Sequence, residues 1–215
     1  MAVNTLDRLR IARYSTFQWR CELSIVKKLA LALGVAAVTG LMAQARVYLP
    51  WTPVPITGQT YAALLAGVLL GQWWGGVSMA IYAVLGVAGI PWFNGWSGGI
   101  SHLAGPTGGY IIGFILAAFL VGHFTDRYIK ARKFPRMLGL MLIANFILIY
   151  VPGLVQLYLW LNLVKGDSVG IYQVLTMGFF PFIAGDIIKA TAVAATAWAV
   201  TPKQGYGNEM DSNTE

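Results

Sequence analysis

Residues 58–90 form a run of 33 positions without one Asp, Glu, Lys or Arg, and this run limits the architecture more than any other feature. As a single straight helix it would be about 50 Å long, far beyond an apolar bilayer core of about 30 Å. As two helices of about 13 to 15 residues each it gives two short crossings. The segment Gly71-Gln-Trp-Trp-Gly-Gly76 lies in its middle. Tryptophan favours the lipid–water interface and glycine permits a sharp turn. The run therefore reads as two helices joined by an interfacial turn. Composition agrees: 57% of the 215 residues are hydrophobic and 11% charged, against about 25% charged in a soluble domain. So few charges cannot supply a polar surface, and lipid as solvent removes the need for one.

The rest of the chain divides accordingly. Residues 1–23 read as a basic cytoplasmic segment, 24–201 as a six-helix membrane domain and 202–215 as a polar tail, expected to be disordered. The first helix is expected from near Glu22 to Arg46, the fourth from Tyr110 to Phe124, the fifth over 137–161 and the sixth over 172–200. Between the first two helices lies Tyr48-Leu-Pro-Trp-Thr-Pro-Val-Pro-Ile-Thr57, whose prolines exclude a helix. This loop is apolar and is expected to pack over something. Charge placement supports six crossings. Six of the 15 Lys and Arg fall in 1–28, five in 126–136 and one at Lys203, against only Arg46 and Lys165 in the loops of the other side. By the positive-inside rule both termini are cytoplasmic, in the plasma membrane of a prokaryote; an organellar inner membrane is the alternative. The net charge of +7 thus belongs to cytoplasmic loops and not to a nucleic-acid surface.

Asp186 and Lys189 stand inside the otherwise uncharged sixth span. A charge at mid-bilayer costs about 2.5–3.5 kcal/mol on insertion scales, so the pair must face the bundle interior. Their i, i+3 spacing puts them on one helix face. They read either as a ligand site or as an ion pair that only ties helices together; intramembrane charges favour the first. Pro181 permits a kink in the same helix. Ser97-Gly-Gly-Ile and Gly105-Pro-Thr-Gly-Gly-Tyr110 bring bare backbone amides beside a helix start, either to meet a ligand or simply as an outer turn. Ala32, Ala36 and Gly40 form a small-residue face on the first helix, suited to close helix contact. One cysteine, two distant histidines and no phosphate loop or nucleophile–base set give no metal site, no cofactor and no catalytic residue. The chain does not read as an enzyme.

Thr52-Pro-Val-Pro-Ile-Thr57, Gly98-Gly99 with Leu103-x-Gly-Pro-Thr-Gly-Gly-Tyr110, and Gly185-Asp-x-x-Lys189 together resemble the BioY family over roughly residues 25–200. The family comprises biotin-binding S components of energy-coupling factor transporters. It often carries proline directly before the Gly-Asp, where this chain has Ala184. The resemblance implies six short helices, an outward-facing pocket and a first loop that acts as its lid. It implies biotin as the transported ligand, and docking of the first helix, here through Ala32, Ala36 and Gly40, on a transmembrane coupling protein driven by two ATPase subunits. On this reading Lys189 neutralises the biotin carboxylate and Asp186 and Asn94 bond the ureido group. Trp92, Trp96 and Tyr110 cover the rings, and the amides of Gly98, Gly99, Gly108 and Gly109 add donors. The alternatives are an S component for another vitamin, a proton or ion conductor using Asp186 and Lys189, or a structural subunit without a ligand.

Overall fold

The structure, a computed structural model, describes residues 5–207 and 209–212. Met1 to Asn4, Asn208 and residues 213–215, which belong to the predicted terminal segments, lie outside them. Among the described residues, five helices are long and apolar enough to cross a membrane. One of them, α3 (Gln59–Val87), is doubled. Gly71, with φ 83° and ψ −177°, interrupts it in a region that only glycine visits readily. Gln59 Nε2 donates to Tyr82 Oη at 2.6 Å, although a straight helix would hold these residues about 34 Å apart. Gly75 packs on Gly67 so closely that a methyl group there would sit 2.8 Å from the Gly67 Cα. The two halves, 59–70 and 72–87, are therefore an antiparallel hairpin, and the predicted division of the long run holds.

The other elements follow the apolar pattern with shifted ends. α2 spans Ile25–Gln44, α5 Gly108–Arg127 and α9 Ile183–Val200. The fifth crossing runs from α6 (Phe134–Ile143) through a π-helical stretch, Ala144–Ile149, into α7 (Tyr150–Leu159). Pro152 explains that stretch: it offers no amide to the carbonyl one turn back, and the wider turn makes room for its ring. The sixth crossing starts with α8 (Ile171–Gly178), breaks at Phe179, and passes a 3-10 turn at Phe180–Phe182 into α9. The break falls beside Pro181, as the sequence suggested.

The first loop forms a strap. Short strands β1 (Arg46–Val47) and β2 (Ile56–Thr57) pair antiparallel at its base. Val54 is buried, and Thr52 Oγ1 donates to the carbonyl of Met177 at 2.6 Å, tying the strap to α8. The segment between α3 and α5 holds α4 (Ile100–Leu103) and buries Phe93 completely.

Two expectations are corrected here, after one addition: the sequence assigned no element to the N-terminal segment. Residues 5–22 form a helix, α1 (Thr5–Glu22), with Phe17 buried. Its Arg20 pairs with Asp126 at 2.6 Å, while Asp126 accepts the amide of Gln72 and Arg20 donates to the carbonyl of Leu69. This ion pair caps both halves of α3 beside the Gly71 turn. The described part of the tail is ordered against the bundle, because the fully buried Arg132 needs a counter-charge, and Glu209 supplies it at 2.7 Å. Finally, Ala32, Ala36 and Gly40 face inward. Ser78 Oγ donates to the Ala32 carbonyl, and Gly40 lets Trp92 approach until a methyl group would sit 2.7 Å from its Cβ. The small-residue face serves contact within the chain, where the backbone of α2 meets the second half of α3.

Candidate ligand cavity

Beneath the strap lies a partly open cavity of about 50 Å³. Ile111 and Phe114 of α5, Ile149 and Phe182 give it apolar walls, with Val54 and Pro55 of the strap above. Its polar lining includes Thr57, Gln59 and Thr60 and two hydrogen-bonded groups.

At one of them are Asp186 and Lys189, in ion-pair contact as their spacing predicted. The Asp186 carboxylate is buried, and its Oδ2 also accepts from Tyr150 Oη at 2.6 Å and from Asn145 Nδ2 at 3.0 Å. Lys189 donates to the carbonyl of Thr57 at the foot of the strap, 3.2 Å away. An ammonium has three protons, so with two such contacts Lys189 keeps one donor direction for the cavity. Asp186 by contrast is occupied on both oxygens. Its immediate effect is to neutralise and orient the lysine.

At the other place are Asn94, His102 and Thr107. The hydrogen bonds here assign one tautomer. Ser97 Oγ gives its proton to the Asn94 carbonyl at 2.7 Å, so it accepts from His102 Nδ1 at 3.0 Å. His102 Nε2 is then the acceptor for Asn94 Nδ2 at 3.2 Å and Thr107 Oγ1 at 3.3 Å. Asn94 Oδ1 accepts from Tyr48 Oη of the strap at 3.2 Å. Burial holds the His102 pKa below its ordinary value, which fits a neutral ring.

Of the residues singled out from sequence, Asn94, Tyr110, Asp186 and Lys189 come together on the cavity. The others lie in its scaffold. The Trp92 indole donates to the Tyr82 carbonyl at 2.9 Å, and Trp96 is exposed. The Gly99 amide is spent on the Gly86 carbonyl at 2.7 Å, and Gly98 packs on the backbone of Ile90. Gly108 and Gly109 abut the carbonyls of Leu103 and Pro152, so they let α5 meet α4 and α7 without a side chain between. Gln156 fastens the same turn, donating to the carbonyls of Leu103 and Gly105 at 2.6 and 2.8 Å. Tyr150, Asn145, His102 and Thr107 were missed. Asn145 and Tyr150 carried a faint signal, being polar-headed residues in an apolar span.

Comparison with known proteins places this geometry in context. Residues 12–205 match the BioY family. A probable biotin transporter BioY from Methanothermobacter thermautotrophicus is 57% identical over 147 residues, 68% of this chain and 94% of that protein. The biotin transporter BioY of Thermotoga maritima is 33% identical over 151 residues, covering 70% and 83% respectively. Among solved structures, the S component for biotin of an ECF-type ABC transporter superposes with a TM-score of 0.71 at 27% identity, over 84% of this chain and 93% of that one. FolT bound with folic acid superposes at 0.52 with 18% identity, over 88% and 96%, a likeness of fold alone.

Proposed function

Because this chain belongs to the BioY family, a family of multi-pass transporter subunits and not of enzymes, we propose that it binds biotin in the cavity under the strap and mediates its uptake. One observation carries the reading most: an intramembrane ion pair, Asp186 with Lys189, lines a cavity that also has apolar walls and a second hydrogen-bonded cluster at Asn94, His102 and Thr107. Biotin has the matching pattern of a carboxylate, an apolar fused ring and a ureido group. Lys189 offers its remaining proton to the carboxylate. Asn94, with Thr107 and His102, receives the ureido group, and Tyr110 and Phe114 flank the ring. The scaffold glycines act by holding α5 against its neighbours.

In this proposal a coupling protein with two ATPase subunits energises uptake. Its docking face is the outer side of α2, where Ala30, Gly34 and Ala37 are exposed and nothing approaches a methyl group placed at Gly34. Both termini lie in the cytoplasm of a prokaryote whose plasma membrane holds the protein. Calorimetry on the purified protein in detergent, without ATP and with a chelator present, tests the ligand. Saturable binding of biotin is expected. No binding, or binding abolished by the chelator, would refute the proposal.

A further inference from the structure

A second opening lies on the outside of the bundle, at its basic end. It is a wedge between α5 and α6, walled by Leu120, Phe124, Gly139, Leu140 and Ile143. The two helices meet through the π-helical stretch and diverge below it. Gly139 leaves the wall bare: a methyl group there would touch nothing within 4 Å. The rim is of another kind, with Tyr128, Lys130 and Arg136 beside the apolar walls. Lys130 and Arg136 are both exposed, and among the described residues neither makes a salt bridge. Asp211 offsets part of this charge, since its carboxylate accepts the amides of Ile129 and Lys130 and lies near the Lys130 side chain.

We propose that this wedge is a binding site for an anionic phospholipid in the leaflet at the basic end. An opening at bilayer depth with apolar walls does not stay empty or fill with water, because voids forfeit contacts and water has no partners there. An acyl chain is the occupant that the surrounding solvent supplies. The chain lies along Gly139 between Phe124 and Ile143. The headgroup then reaches the rim, where Arg136 offers a planar fork for a phosphate and Lys130 a point charge. Tyr128, stacked on Phe124 with ring centroids 5.6 Å apart, stands at the depth that interfacial aromatics prefer. Basic pockets between transmembrane helices are general recognition sites for anionic headgroups.

The test uses the full chain, delipidated in a neutral detergent and titrated with phosphatidylglycerol or phosphatidylcholine of identical acyl chains. Bound lipid is counted by native mass spectrometry. Phosphatidylglycerol should be retained preferentially, and the preference should fall by roughly fivefold for each cation removed in Lys130→Gln and Arg136→Gln. Gly139→Leu should reduce retention of both lipids by filling the wedge. Equal retention of the two lipids by the unaltered protein would overturn the proposal. So would a preference that persists in the double glutamine variant, or lipid retention untouched by Gly139→Leu.

Discussion

At the scale of single residues the cavity is a matter of proton counts. Lys189 has two acceptors in the Asp186 carboxylate and the Thr57 carbonyl, which leaves one proton for a ligand. Lys189→Ala should weaken binding of biotin far more than binding of a biotin amide. Removing one member of a buried charged pair costs about 3–5 kcal/mol, and only the charged ligand suffers that loss in full. Titrating both ligands against the same variant cancels whatever the orphaned Asp186 does to the cavity. An equal loss would move Lys189 to the ureido end or to the fold. His102 allows a pH prediction. Its pKa is held below the ordinary value by burial, so the folded state prefers the neutral ring. The stabilisation is complete above the unfolded pKa of about 6.5 and is lost as the pH falls toward the folded value. Protonation also turns Nε2 from acceptor to donor, against the Asn94 amide that now donates to it. Biotin affinity should therefore drop as the pH falls through the lowered pKa of His102 in the folded protein, and His102→Gln should flatten that dependence.

At the scale of elements, two positions on neighbouring helices separate turn chemistry from surface. Gly71→Ala places a side chain at φ 83°, against the Asp126 carboxylate, and should cost about 1–3 kcal/mol. Gly34→Ala, on the open face of α2, removes a helix-interior glycine and should stabilise by about 0.5–1 kcal/mol. Thermal unfolding in detergent should move in opposite directions for the two. A second pair tests the docking face. Ala36 is fully buried against the bundle, so Ala36→Trp should disrupt the fold and abolish biotin binding. Gly34→Trp should leave binding intact and impair uptake in cells. Normal uptake in Gly34→Trp would show that the coupling protein docks elsewhere.

At the scale of the whole molecule, the basic end is closed by segments distant in sequence. The tail brings Glu209 to the fully buried Arg132, and Tyr206 donates to Asp126 at 2.9 Å, where Arg20 of α1 also ends. Glu209→Gln should destabilise the protein by about 3–5 kcal/mol, because it leaves the buried guanidinium without its counter-ion. Burial opposes ionisation of Glu209, but the bonds from Arg132 and the amides of Tyr206 and Gly207 outweigh it and hold the pKa below its ordinary value. That stabilisation is full above the unfolded pKa of about 4.3 and disappears as the pH falls through the folded value. Acid unfolding followed by tryptophan fluorescence should accordingly be steeper in the native protein than in the variant.

Hydropathy and charge are local in the chain, and what depends on them was legible without a structure. The doubled run at 58–90, the kink beside Pro181 and the pairing of Asp186 with Lys189 three residues on are all short-range facts. The side chains that complete the site are not. Tyr150 and Asn145 reach Asp186 from 36 and 41 residues away, and only the rotation of the fifth span about its axis, set by the π-helical stretch before Pro152, turns them inward. The same holds for the glycines and the small-residue face of α2. Composition marked them as sites of close approach, but a helix has several faces and the sequence does not say which neighbour each one meets. In this chain packing within the bundle takes the bare faces of α3 and α5 and the Ala32, Ala36 and Gly40 face of α2, while the Gly34 face of α2 stays open. Which gaps between helices carry charged side chains, such as those at Lys189 and at Arg136, is decided by that packing alone.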